Sequence, residues 1–275
     1  MTTWYRRLLA AICSLAVTGA PTRASEPTAY PEPVSETRPA VDGVNGKLSF
    51  GGSGGDVDGY GVSVSGSVPL GHRFGFQLDG AAVKVSSNFH DDVPIYATGA
   101  HLFWRDPSKG LLGLYGDVIH VDTGEGFNFF TAAVEGALYL GRYSIDGIFG
   151  IKGGETVETD FHNQLHISYY PIDNLSIRLG HSYSHGWNGF SLGGEWALGG
   201  SGGVTPSLFA VGLTDTNDHR AFVAGMKFYF GQRDKPLIRI HRESDPRSYV
   251  SQDYEDNREI IDIGPTDLLA RRQQQ

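Results

Sequence analysis

Residues 221–230 read AFVAGMKFYF, and their apolar spacing is two. Phe222, Ala224, Met226, Phe228 and Phe230 fall on one side, with Val223, Gly225, Lys227 and Tyr229 on the other. Only an extended chain turns successive side chains to opposite faces, so this stretch is a strand. Leu175–Ser184 repeats the pattern, with Leu175, Ile177, Leu179 and Tyr183 against Ser176, Arg178, Gly180, Ser182 and Ser184. In Tyr143–Lys152, Tyr143, Ile145, Phe149 and Ile151 oppose Ser144, Asp146 and Lys152. Working outward, segments of this kind start near residues 44, 58, 73, 94, 111, 128, 142, 160, 174, 189, 205 and 220. No helical period lasts two turns between Val44 and Phe230. The expectation is an all-β chain of about twelve strands. Ten is the alternative, because the segments near 44 and 205 alternate least.

Composition agrees. There are 38 Gly, 15 Phe, 13 Tyr and 4 Trp against 2 Met, and only 19% of residues are charged. That balance argues against a helical enzyme and for many short strands. The net charge of -9 demotes nucleic-acid binding, which needs a basic face. No run approaches the roughly 20 apolar residues of a spanning helix.

The first residues read as an address. Arg6 and Arg7 precede the apolar run Leu8–Val17, and Thr22 and Ala24 are small residues suited to cleavage before Ser25. Residues 1–24 are therefore expected to be a signal peptide. Its removal takes three arginines and Cys13, the only cysteine, leaving a net charge of -12 and no thiol chemistry. Residues 25–43 carry Pro27, Pro31, Pro33 and Pro39 and read as a linker, too small for a plug domain.

A soluble sandwich also alternates, so the aromatic residues decide between the two. Tyr60, Tyr96, Phe130, Phe161, Phe190 and Phe222 open the even-numbered segments on the apolar face. Trp104, Tyr169, Trp196 and Phe230 close such segments, and Phe74 and Tyr143 open odd-numbered ones, at a second level. Antiparallel threading gathers these twelve side chains into two rings about 20 Å apart along the normal. A bilayer has two interfaces that favour amphipathic rings, whereas a sandwich core has no reason to sort aromatics by height.

On these residues the span Val44–Phe230 resembles a bacterial outer-membrane β-barrel, small and porin-like or OmpA-like. The ending Lys227-Phe228-Tyr229-Phe230 is similar to the aromatic C-terminal signal of that superfamily. The resemblance implies a transmembrane antiparallel up-and-down β-barrel in the outer membrane. It also implies lipid and lipopolysaccharide as surroundings and the outer-membrane assembly machinery as a partner. Short periplasmic turns are expected at Pro69–Arg73, Asp106–Gly110, Gly141-Arg142, Ile172–Asn174 and Gly199–Val204. Members of the superfamily usually stop at the aromatic residue, but this chain continues for 45 residues. Residues 231–275 are basic around Leu237–Ile240 and acidic over Asp253–Asp262. They read as a largely disordered periplasmic tail carrying a short segment for a periplasmic partner.

Inward parity holds Lys47, Asp79, Arg105, Asp117, Glu135, Asp146, Lys152, Arg178, Glu195 and Lys227. Asp117, Glu135 and Asp146 fall on consecutive strands, facing Lys47 and Lys227 across the lumen. Burying such groups dry is costly unless they pair, whereas a wet lumen removes the cost and sets a transverse field. The expected function is a narrow porin-like diffusion channel for small polar or ionic solutes, with no cofactor and no catalysis. The alternative is a barrel sealed by salt bridges that supports envelope integrity or surface interaction.

Other signals weigh less. Gly51–Gly59 resembles one calcium-binding nonapeptide, but Asp58 takes its apolar position and no second copy follows, so a hairpin loop is expected. His181 with Ser182 or Ser184 suggests an outer-membrane lipid hydrolase, yet alternation puts His181 and both serines on opposite faces. His101, His162 and His166 share lumen parity as polar lining. Acids of the outer loops, among them Asp122, Glu155 and Asp215, are solvated turns or bridge divalent cations to lipopolysaccharide phosphates.

Overall fold

A computed structural model describes residues 38–250 apart from 57, 88–89, 123–125, 156, 217, 232–234 and 245. Twelve strands follow one another: β1 (Asn45–Gly55), β2 (Asp58–Leu70), β3 (Phe74–Ser87), β4 (His90–Asp106), β5 (Gly110–Val121) and β6 (Phe127–Leu140). They continue as β7 (Tyr143–Gly154), β8 (Asp160–Ile172), β9 (Leu175–Ser184), β10 (Trp187–Ala197), β11 (Val204–Asp215) and β12 (Arg220–Phe230). Each pairs antiparallel with its neighbours in sequence, and β1 pairs with β12, so the sheet closes into an up-and-down barrel with no free edge. The closing seam runs from Gly46 opposite Phe230 to Gly55 opposite Ala221. The ten-strand alternative is excluded.

Turn chemistry sets the register. Gly141-Arg142 joins β6 to β7 with Leu140 opposite Tyr143, and Gly141 takes φ 57°. His185-Gly186 joins β9 to β10 with both residues left-handed, at 46° and 87°, the conformation that suits a tight hairpin to strand twist. His185 holds that conformation with its ring tied down: Ser184 Oγ donates to Nδ1 at 3.0 Å and Nε2 donates to the Glu158 carbonyl at 2.9 Å.

Alternation produces two unlike faces. All twelve ring aromatics named above point outward and are well exposed, from Trp104 at 37% to Tyr60 at 62%. Between them the outer face carries side chains such as Leu78, Leu112, Leu114, Val134, Leu179 and Leu192. So continuous an apolar girdle has no place in water and fits the hydrocarbon of a bilayer. Antiparallel register places Trp104 opposite Phe74 and Tyr169 opposite Tyr143, the latter two stacked at 4.9 Å. The inner face is polar, with Ser63, Ser65, Gln77, His101, Gln164, Ser176 and Ser207 all buried.

The expectation of a free tail needs correcting at its start. The start of the C-terminal tail is not free chain: helix α1 (Leu237–Glu243) and the residues after it are buried against the inside of the barrel. Leu237 and Ile240 pack with Ala197 and Tyr229, and Tyr249 and Val250 join the cluster formed by Val83, Tyr115, Ile119 and Phe129. Length and mixed charge suggest a free chain, but the polar lumen offers those charges partners. The last residues of the linker also tuck in, with Val41 against Phe103 and Leu111. The expected signal peptide, most of the linker and residues 251–275 lie outside the described residues.

Candidate functional site

The inward-facing charges assigned from the sequence all lie on the inner face. Lys47, Asp79, Arg105, Asp117, Glu135, Lys152 and Glu195 are buried there, and Asp146, Arg178 and Lys227 line its cavity. The acids expected to form one wall are staggered in height. Glu135 lies opposite Gly113, four residues along β5 from Asp117, a stagger of about 13 Å. At that spacing each acid finds its own partners.

The first cluster centres on His101, which the sequence reading took as plain lining. Its ring donates from Nδ1 to Glu135 Oε2 and from Nε2 to Asp79 Oδ2, both at 2.8 Å. An imidazole that donates from both nitrogens carries the charge that lets two carboxylates share one buried site. Gln77 donates to Asp79 Oδ1 at 3.0 Å, and the Tyr115 hydroxyl donates to Asp117 Oδ2 at 2.6 Å.

The second cluster centres on Glu195. It accepts from Lys227 Nζ at 2.7 Å, from the Ser207 hydroxyl at 2.8 Å and from the Tyr229 hydroxyl at 2.6 Å. Lys227 also lies over the Phe209 ring, 4.9 Å from its centroid.

The third set of contacts comes from the tail. Arg247 reaches Asp146, with Nε 2.6 Å from Oδ2. Arg242 donates to Ser144 Oγ at 3.1 Å and to the Tyr143 carbonyl at 2.8 Å, beneath the rings of Tyr139 and Tyr170. Gln77 donates to the Pro246 carbonyl, Ser67 to that of Ser244, and Arg105 to those of Ala40 and Glu243. Tyr249 stacks on His101 at 5.9 Å and meets Tyr115 edge-on. Sequence reasoning missed these tail residues; their signal was Leu237, Ile238 and Ile240 recurring beside arginines.

The tail's mooring is acid-sensitive. Burial pushes the Glu243 carboxyl up, but hydrogen bonding from Arg239 and the charges of Lys235, Arg239 and Arg38 outweigh it and hold the group below its ordinary value. Asp42 is likewise lowered, burial being outweighed by Lys235, Asn45 and Ser244. His241 is pushed below 6.5, chiefly by burial, with Lys227 and Arg178 adding and Glu195 opposing. The signs agree. Lowered carboxylates favour the docked tail above their undocked values and lose that contribution as pH falls through the docked ones. A lowered histidine favours docking above 6.5 and works against it once protons bind the released form more readily. Limited proteolysis of the folded barrel is expected to cut the 237–250 segment faster at pH 3–4 than at pH 7. Equal rates at matched protease activity would contradict this mooring.

Against the tail remains a cavity of about 130 Å³, room for several waters. Lys47, Arg178 and Lys227 line it with Ser49, Ser63 and Glu195. Small residues keep this side open: Gly51, Gly61 and Gly193 stand where other strands carry side chains.

The hydrolase pairs do not form. His181 bonds Asn188 through Nε2 at 3.1 Å, and the imidazole nearest Ser184 is that of the adjacent turn residue His185.

Neither a family model nor a curated relative matches the chain. Solved structures do. The KdgM porin in complex with disordered oligogalacturonate aligns with a TM-score of 0.52 at 10% identity, over 66% of this chain and 98% of that one. The KdgM porin alone gives 0.50 at 9% identity over the same shares. The COG4313 outer membrane channel from Pseudomonas putida F1 gives 0.49 at 13% identity, over 73% and 99%. At such identities the likeness is one of fold, and the fold of this chain is that of the outer-membrane β-barrels.

Proposed function

We propose that this protein is an outer-membrane barrel acting as a narrow porin-like channel for small polar or ionic solutes. The observation that carries this reading is the polar cavity inside the closed barrel, lined by Lys47, Arg178, Lys227, Glu195 and serines. An apolar lumen would expel water and ions, whereas these groups replace part of a solute's hydration shell. The likeness to a porin fold supports the same reading. In it, residues 1–24 direct export and the chain reaches the membrane through the assembly machinery. The end carrying the short turns and both termini then faces the periplasm, and the outer loops meet lipopolysaccharide.

A second reading is favoured by one observation: Glu135, Asp146 and Glu195 are each paired within the barrel or with its own tail. That is the arrangement of a sealed barrel serving envelope integrity or surface interaction. The test is the full chain refolded into a planar bilayer, with folding checked by mobility on unheated gels. Small, stable, salt-dependent steps are expected. A folded, inserted and electrically silent barrel would overturn the channel and leave the sealed one.

A further inference from the structure

The tail does not fill the lumen evenly. From Ser244 onward its contacts fall on one arc of the wall, Ser67 on β2, Gln77 on β3, Tyr115 on β5 and Asp146 on β7, whereas Leu237, Ile240 and His241 meet β10 and β12. That arc carries Asp79, Asp117, Glu135 and Asp146. The arc from β9 through β12 to β2 holds Arg178, Lys227 and Lys47 with Glu195, and the cavity lies between this arc, the tail and residues of β3 and β5–β8 such as Glu135 and Asp146.

We propose that residues 237–250 are a built-in lining that masks the acidic side of the lumen, and that the path left open selects small inorganic and carboxylate anions. The inference rests on the channel reading above. Four cations line the cavity, Lys47, Arg178, Lys227 and Arg247, against three acids, Glu135, Asp146 and Glu195. One of the four belongs to the tail. Without it three cations face three acids, and Asp146 loses the guanidinium that sits 2.6 Å from its carboxylate. In a narrow path a change of one charge alters ion preference strongly, because little water screens it. The tail also takes up cross-section, since Tyr249 and Val250 pack inside the barrel against Tyr115, Ile119 and Phe129. It therefore sets both the bore and the sign of the path.

The mooring matches this role. Leu237 and Ile238 are fixed by the Asn174 side chain and the Asp173 carbonyl at the β8–β9 turn, and Arg38 and Lys235 hold Glu243. Ionic and hydrogen-bonded contacts thus hold the segment at the mouth, and aromatic packing holds it deeper.

The test uses three chains in planar bilayers under a tenfold KCl gradient: the full chain, the chain ending at Pro236, and the full chain carrying Arg247→Glu. The full chain is expected to give a reversal potential of the sign set by chloride. Truncation is expected to raise conductance at least twofold and to remove the chloride preference. Arg247→Glu keeps the barrel strands and most tail contacts, and is expected to turn the preference toward potassium. It guards against a truncated chain that fails to fold, which gel mobility would reveal. Unchanged reversal potentials in the folded variants would overturn the masking role while leaving the channel standing. Silence of every folded chain would overturn the channel reading and this inference with it.

Discussion

Glu195→Ala is expected to destabilise the folded barrel by about 3 kcal/mol, the low end of the range for breaking a buried ion pair. Glu195 is 1% exposed and accepts from Lys227, Ser207 and Tyr229. Removing it leaves an ammonium facing Arg178 and Lys47 across the same cavity, with two hydroxyls deprived of their acceptor. The low end applies because Lys227 is 19% exposed and cavity water reaches it. Glu195→Gln keeps an oxygen for the hydroxyls and loses only the charge, so it is expected to cost less. The double variant Glu195→Ala/Lys227→Met is expected to recover most of the loss, since the isolated charge is the larger penalty. Urea titration in lipid vesicles measures all three. A single Ala variant with the parent's midpoint would contradict the pairing.

The second large effect lies on the outside. Leu114 is 61% exposed, midway along β5, flanked by Leu102 and Val134. On a soluble protein an arginine at so exposed a site changes stability by about 0.5 kcal/mol or less. In a bilayer the same change near the midplane costs about 2–4 kcal/mol. Leu140→Arg, at the end of β6 where the chain enters the Gly141 turn, is expected to cost about 1 kcal/mol or less, because it reaches the interface. The contrast between the two is the signature of a membrane. Equal and small effects in vesicles would place the girdle outside hydrocarbon.

Much of this fold is legible in the sequence because a barrel wall between lipid and a polar lumen imposes a two-residue period on every strand. That constraint is local, so Phe222–Phe230 shows it without knowledge of any partner strand. The aromatic rings are legible for a related reason, since the interface acts on each side chain by its height alone. Lumen pairing is another matter. Parity places Glu135 and Asp146 inside, but register and stagger decide that Glu135 meets His101 and that Asp146 meets Arg247. His101 shows the limit: nothing near it in sequence marks an imidazole that bridges acids on β3 and β6. The tail shows it more sharply. Its seven-residue helix has little intrinsic stability, and its N-cap residue, Pro236, supplies no side-chain cap. What holds Leu237–Val250 includes contacts with residues from sixty to more than one hundred and seventy positions earlier, such as Asn174 and Ser67. No window of sequence contains them.

The segment lies inside the barrel, packed on the inner faces of its strands. A Cβ built on Gly99 of β4 would stand 2.5 Å from Val250 Cγ2, which puts the two Cβ atoms within about 4 Å, the separation a disulfide requires. In the full chain carrying Cys13→Ser, Gly99→Cys with Val250→Cys is therefore expected to form an intramolecular disulfide nearly completely under mild oxidation. Mass spectrometry of the digested, folded protein detects it. Leu102→Cys with Val250→Cys, with Leu102 on the outer face of the same strand, is expected to stay reduced. Free, maleimide-reactive thiols in the Gly99 pair of a folded barrel would show that the tail lies outside the lumen and would contradict the account.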